Sequence, residues 1–309
     1  MSRSPFHVGR DLFHLAWDAS IPPILSVESG AEIAFDALDA SCGQIRADSG
    51  LADLEALDFS RVDQVAGPIF VDGAMPGDTL QVDLLDFEPD DWGWTASIPG
   101  FGLLADDFPD PALRITRLGG GRAEFLPGVT IPLAPFCGVL GLASPGEPRS
   151  TIPPTNQGGN MDTRHLTAGA SLWLPIAVPG ALFSLGDGHA AQGDGEVCGT
   201  AIETPMRSRV RLTVRRDVTV RAPEFRTAGP LGLSTNTGPW LATDGVGPDL
   251  MGAAADAVRR MLDRLAAEHG LAAIDGYMLL SVAGDLRISE IVDQPNWIVT
   301  AYCPMSIFG

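Results

Sequence analysis

The stretch PGALFSLGDGHAAQGDGEVCGTAIE, Pro179 to Glu203, decides how the rest of the chain is read. Pro179 and Gly180 punctuate a turn, and Phe183 and Leu185 follow three and five places after the glycine, the period-two spacing of a half-buried strand. Beyond the strand, Asp187, His189, Gln192, Asp194 and Glu196 lie among five glycines. Successive strand residues point to opposite faces, so Asp187 and His189 are expected to project together, as are Gln192, Asp194 and Glu196. Gly188, Gly193 and Gly195 put no side chain on the other face and permit bends or bulges. A solvated acidic hairpin would also carry these residues. The apolar flanks, PIAVPGALFSLG and VCGTAIE, instead set the polar cluster between buried strands. Such an oxygen- and nitrogen-rich pocket suits a divalent cation, with Zn²⁺ or Ca²⁺ the leading choices.

The same turn-to-strand grammar recurs in SGAEIAF (Ile33, Phe35), PGDTLQV (Leu80, Val82) and PGVTIPL (Ile131, Leu133). The first two of these align further, at Gly30 and Gly77, Asp36 and Asp83, and Leu38 and Leu85, a similarity that fits either related β units or, the preferred reading, repeated hairpin chemistry. Further strands are expected over Val210–Val220, Gly276–Val282 and Trp297–Tyr302. One helix is expected after Pro248, with Leu250, Ala254, Val258, Met261, Leu262 and Leu265 on one face and Gly270 as its stop. The expected fold is therefore mainly β, with layered or sandwiched sheets and one long late helix. Residues 1–309 read as a single domain, with two halves meeting near 145–159 if it divides.

Composition narrows the function. The chain has 309 residues, 45% of them hydrophobic, with 36 glycines and 25 prolines, which suits a turn-rich globular protein. Its net charge of −19 repels phosphate backbones and anionic lipid, so no nucleic acid or membrane partner is expected, while small neutral molecules are unaffected. Cys42, Cys137, Cys198 and Cys303 are scattered without a CxxC, and the N-terminus has no apolar leader, so a reduced, cytoplasmic setting is expected. All 20 basic residues are arginine. Without lysine there is no Schiff base, no pyridoxal chemistry, no P-loop and no Ser–Lys or Cys–Lys nucleophile. A GxSxG elbow is also missing.

Other polar candidates lie outside the central block. In QGGNMDTRH, Asn160, Asp162 and Arg164 alternate along one face; Asp162 is the best additional metal ligand, and Asn160 either orients a carbonyl or ammonia group or caps an Asx turn. His14 and Asp18 stand four apart beside Trp17, and Glu290 is a mid-strand carboxylate; both His14 and Glu290 are weaker candidates for the site. Cys198, in an apolar run, reads as a small buried hydrophobe. Trp92, Trp94 and Phe101 are candidates for the mouth of a small pocket.

The block GGNMDTRHLTAGASLWLPIAVPGALFSLGDGHAAQGDGEVCGTAIE (residues 158–203) resembles the central block of the acetamidase/formamidase family. The resemblance continues in SVESGAEIAFDALDASCGQI, GPIFVDGAMPGDTLQVDLLD, WGWTASIPGFGLLADDF and SVAGDLRISEIVDQPNWIVTAYCPMSIF, and so spans essentially the whole chain. It implies a mainly β fold, a homo-oligomer, and hydrolysis of short aliphatic amides such as acetamide or formamide to carboxylate and ammonia. The lysine-free composition excludes the Glu–Lys–Cys and Ser–Ser–Lys amidase designs, so an amidase built from this chain needs a different device, and a metal-activated water fits the residues available. On this reading Asp162, Asp187 and His189 hold the cation, Glu196 moves the proton, and Asn160 and Gln192 orient the amide. Asp194 either supports the loop or joins the ligands. The alternatives are another small C–N substrate, carbamoyl or guanidine-derived, and a non-catalytic β protein with a structural metal.

Overall fold

Gly30, Gly77, Gly128 and Gly180, the four turn glycines, all take positive φ (96°, 96°, 76° and 77°), which a side chain would resist, and each leads into a strand. The structure is a computed structural model that describes residues 6–229 and 238–309, so Met1 to Pro5 of the N-terminal segment lie outside the described residues.

Two six-stranded sheets form a sandwich. The first runs β1 (Phe6–Val8), β5 (Ala31–Ala37), β17 (Met206–Arg215), β7 (Thr79–Pro89), β15 (Ser171–Pro175) and β18 (Glu224–Arg226). The second runs β14 (Gly158–Asn160), β12 (Phe136–Leu142), β16 (Phe183–His189), β6 (Val65–Val71) and β2 (Phe13–His14), with β4 (Leu25–Val27) also on β6. Ile33, Phe35, Leu80, Val210 and Leu212 of the first sheet pack against Ile69, Leu140, Phe183 and Leu185 of the second. The Phe35 and Phe183 rings meet edge to face at 6.2 Å across this core.

A second core lies beside the sandwich. A four-stranded sheet, β11 (Val129–Pro132), β10 (Arg122–Leu126), β9 (Ala112–Gly119) and β8 (Trp92–Ser97), contributes Leu118, Phe125 and Ile131. A three-stranded sheet of β19 (Trp240–Gly247), β21 (Trp297–Pro304) and β20 (Asp285–Glu290) carries helix α2 (Leu250–His269) on one face. Helix α3 (Ala273–Ala283) packs within this core, and the short α1 (Leu51–Glu55) lies near β9. A pair of two-residue strands, β3 (Ala16–Trp17) and β13 (Arg149–Ser150), completes the set. Both main cores draw on chain from each side of 145–159, so no core ends there.

The late helix matches its expectation: the Asp249 side chain accepts from Gly252 N, and Gly270 closes the helix with φ 66°. The expected strand Gly276–Val282 is instead part of α3. A short, continuous apolar run has no periodicity to separate the two forms, and every residue from Gly276 to Ala283 is buried, so no polar face marks the helix. The strand expected to reach Val220 stops at Arg215. β5 and β7, whose sequences align, flank β17, and their matched Asp36 and Asp83 lie 3.7 and 3.9 Å from its Arg207 and Arg211.

Candidate active site

β16 brings Asp187 and His189 to one point, with His189 Nε2 3.1 Å from Asp187 Oδ2. The glycines beside them allow neighbouring backbone to close in. A Cβ on Gly186 would overlap Gln64 O, and one on Gly188 would reach within 2.5 Å of Thr204 O and Met206 Cβ. That approach delivers Glu203, whose Oε2 also lies 3.1 Å from His189 Nε2. Across the sheet, Cys137 and Val139 pair with Gly188 and Gly186, so Gly138 faces Asp187. A Cβ there would overlap Asp162 Oδ1 and Asp187 Oδ2 and lie 2.8 Å from His189 Cε1. Gly138 O also accepts from the N–H groups of Met161 and Asp162, at 3.0 and 3.3 Å, which pulls the segment after β14 over the same point.

Asp63, Asp162, Asp187 and Glu196 have φ of 53°, 44°, 57° and 41°. They are four of the seven non-glycine residues with positive φ among those described, and all four line one cavity. Each left-handed residue costs on the order of 1 kcal/mol, a strain that gathers where function over-determines the backbone.

His189 Nδ1 lies 2.8 Å from Gln192 Oε1, and Gln192 Nε2 donates at 2.7 Å to Asp162 O. The amide oxygen can only accept, so Nδ1 carries the proton and Nε2 faces the carboxylates. Burial lowers the His189 pKa, but Asp187 and Glu203 more than offset this and hold it well above the usual imidazole range. Asp187 is lowered because His189 outweighs its burial. The other acids are pushed up, first by burial and then by one another: Asp162 to about 7 with Asp187 beside it, and Glu196 well up beside Asp162. Asp63 is raised beside Asp187 and Asp162, and burial takes Glu203 to about 8 despite His189. Five carboxyl groups around one imidazole cannot all ionise without a counter-charge.

The donor set fits a cation. Asp162, His189 and Glu196, and likewise Asp187, His189 and Glu203, each offer ligand atoms within 4.8 Å of one another. Asp162 Oδ1, Asp187 Oδ1 and Asn160 Oδ1 are buried without a hydrogen-bond partner, and Glu203 Oε2 faces the His189 imidazole. Asn160 lines the cavity with these acids, so its free oxygen is available to a bound molecule.

The remaining candidates lie elsewhere. Gln192 does not meet the cavity; both ends of its amide are engaged by His189 and Asp162, so it positions them. The expected common face of Gln192, Asp194 and Glu196 does not form, because residues 190–200 follow a turning path rather than a strand. Asp194 turns toward β20, where its N–H donates to Asp285 Oδ1 at 3.3 Å. His14 Nδ1 donates to Ala16 O and Nε2 accepts from the Ser184 hydroxyl, both at 2.8 Å, so His14 ties β2 to β16 outside the cavity. Glu290 Oε1 accepts from the N–H groups of Val292 and Asp293 and caps a surface turn. Cys198 is buried, with its thiol pushed up to about 11, and is inert. Trp94 and Phe101 line the cavity, whereas Trp92 lies outside it and packs against the small core of Ile45, Leu54, Trp94 and Ala96.

Asp63 and Glu203 escaped sequence reasoning. Glu203 closes the apolar run VCGTAI, and a single carboxylate ending such a run was its available signal. Asp63, in SRVDQVAG, has no local signal.

A model of the Acetamidase/Formamidase family matches residues 2–148 and 145–309. The chain is 26% identical over 366 residues to a formamidase of Methylophilus methylotrophus, covering 96% of this chain and 89% of that one. A γ-lactamase from Delftia acidovorans superposes with a TM-score of 0.90 at 26% identity, covering 96% and 89% of the two chains. An acetamidase from Bacillus halodurans superposes with a TM-score of 0.70 at 30% identity, covering 97% and 98%.

Proposed function

The chain belongs to the acetamidase/formamidase family, and on that premise we propose that it hydrolyses short aliphatic amides to carboxylate and ammonia with a divalent cation in the cluster. The observation that carries this reading is the set of three unpartnered buried oxygens, on Asn160, Asp162 and Asp187, converging on one cavity with Glu203 and His189.

Asp162, Asp187 and His189 would hold the cation, with Glu203 beside them; oxygen and imidazole ligands suit Zn²⁺ or Ca²⁺. When bound, the cation supplies a Lewis acid for the amide carbonyl and lowers the pKa of a coordinated water. Gln192 fixes the His189 tautomer so that Nε2 presents its lone pair. Asn160 Oδ1 accepts from the substrate NH₂ and orients the amide. Glu196, held well above the usual carboxylate range by burial and Asp162, is the group placed to move the proton. It takes one from the attacking water and returns it to the leaving nitrogen.

A reduced, cytoplasmic setting and self-association belong to the same proposal; all four cysteines are free and buried. Among the described residues, no helix is long and apolar enough to cross a membrane.

Glu196→Gln tests the mechanism. Ammonia release from acetamide should fall roughly 10²–10⁴-fold with the unfolding midpoint unchanged; a loss under tenfold would remove Glu196 from proton transfer. A second reading, a cyclic amide, is favoured by the TM-score of 0.90 to the γ-lactamase. Lactam opening retains the nitrogen in the product, so an amino acid forms without ammonia.

A further inference from the structure

The cavity above the carboxylates has a volume of about 300 Å³, roughly ten waters at about 30 Å³ each. Formamide and acetamide have three and four non-hydrogen atoms. With the amide group, a water and a cation on the polar floor, space for about five or six further heavy atoms remains. The wall around that space is apolar: Leu57, Val62, Trp94, Ile98, Phe101 and Ile152.

Solitary exposed apolar residues need no explanation, but here three converge on one mouth. Phe59, Phe101 and Ile152 come from separate segments and are 52%, 49% and 36% exposed. Phe101 is also seated: a Cβ on Gly199 would overlap its ring, and Gly199 has φ 93°, where glycine is favoured. The backbone therefore keeps an aromatic face beside the polar floor.

We propose that the preferred substrates are primary amides with an apolar acyl group of about five to seven carbons, which fills the wall formed by Leu57, Val62, Ile98, Phe101 and Ile152. This rests on the amidase reading above. The acyl group contributes binding only; the amide is cleaved as for acetamide, with water consumed and carboxylate and ammonia formed.

The test is kcat/KM for formamide, acetamide, butyramide, hexanamide and benzamide, measured by ammonia release with the metal-replete protein. The expected result is a rise of about threefold per methylene from acetamide to hexanamide, just below the roughly fourfold of complete burial. Phe101→Ala and Ile152→Ala, at exposed positions that leave folding intact, should each lower the hexanamide-to-acetamide ratio at least fivefold. Highest kcat/KM on formamide or acetamide with a steady fall thereafter would overturn the inference and leave the amidase reading standing, and so would an unchanged ratio in both variants. No ammonia from any of the five amides would overturn the amidase reading and this inference with it.

Discussion

Gly138 shows how much of the site depends on a missing side chain. Its backbone is ordinary, and it carries no ionisable group. Yet the space a methyl would fill holds oxygens of Asp162 and Asp187 and the edge of His189. Gly138→Ala should therefore cost about 1–3 kcal/mol, as overpacking does, and reduce cation affinity and acetamide turnover at least a hundredfold. Calorimetric metal titration and a urea melt separate the two effects; wild-type metal affinity in a folded variant would contradict the packing argument. The same residue marks a limit on what sequence reveals. Asp187, His189 and Glu196 were legible because they share one glycine-rich segment with apolar flanks, and Asp162 because it alternates with Asn160 and Arg164. Gly138 sits in an unbroken apolar strand, FCGVLGL, and matters only through what the neighbouring strand brings opposite it. Asp63 is silent for the same reason, since its role arises from its place on the fold.

Among elements, the least legible feature is the bond between the catalytic loops and the C-terminal sheet. Arg164, two residues after Asp162, forms a buried ion pair with Asp285 at the start of β20. Asp285 also pairs with Arg287 at 3.1 Å and accepts from Asp194 N–H, which leads into Glu196. One carboxylate thus ties the Asp162 segment and the Glu196 turn to the same strand. Gly193 closes the joint, since a Cβ there would overlap Gly284 O. Removing one partner of a buried pair costs about 3–5 kcal/mol because the other is left desolvated. Arg164→Met should lose about that much in a urea melt. In the still-folded fraction at low temperature, kcat for acetamide should fall more than tenfold, because Asp162 and Glu196 lose their common tether. Unaltered kcat in folded Arg164→Met would leave the pair purely structural. β strands with turn glycines and the capped helix α2 were readable because their periods are intact. α3, hydrophobic all round, carries no period to read, so only its packing between α2 and the four-stranded sheet identifies it.

At the scale of the molecule, the site is a concentration of charge within a protein of net charge −19, and that sets how stability depends on pH. Asp162 and Glu203 are pushed up to about 7 and about 8, against roughly 4 for unfolded carboxylates. Between those values the native, metal-free protein binds more protons than the unfolded chain, so its stability falls as pH rises from about 4 to about 8. His189, raised by Asp187 and Glu203, acts in the same direction: its contribution is complete below about 6.5 and is lost as pH rises through its folded pKa. A bound cation replaces those protons and adds binding energy of its own. The chelator-treated protein should therefore melt at a higher temperature at pH 5 than at pH 8, while the metal-replete protein keeps its midpoint at pH 8; matching pH profiles would argue against a cation in the cluster. Ammonia release from acetamide in chelator-stripped protein titrated with Zn²⁺ or Ca²⁺ shows whether the cluster works through a cation. The stripped but folded protein should show no turnover, with recovery that saturates at a fixed ratio of cation to chain. Full turnover in the rigorously metal-free protein would rule out a metal-dependent site.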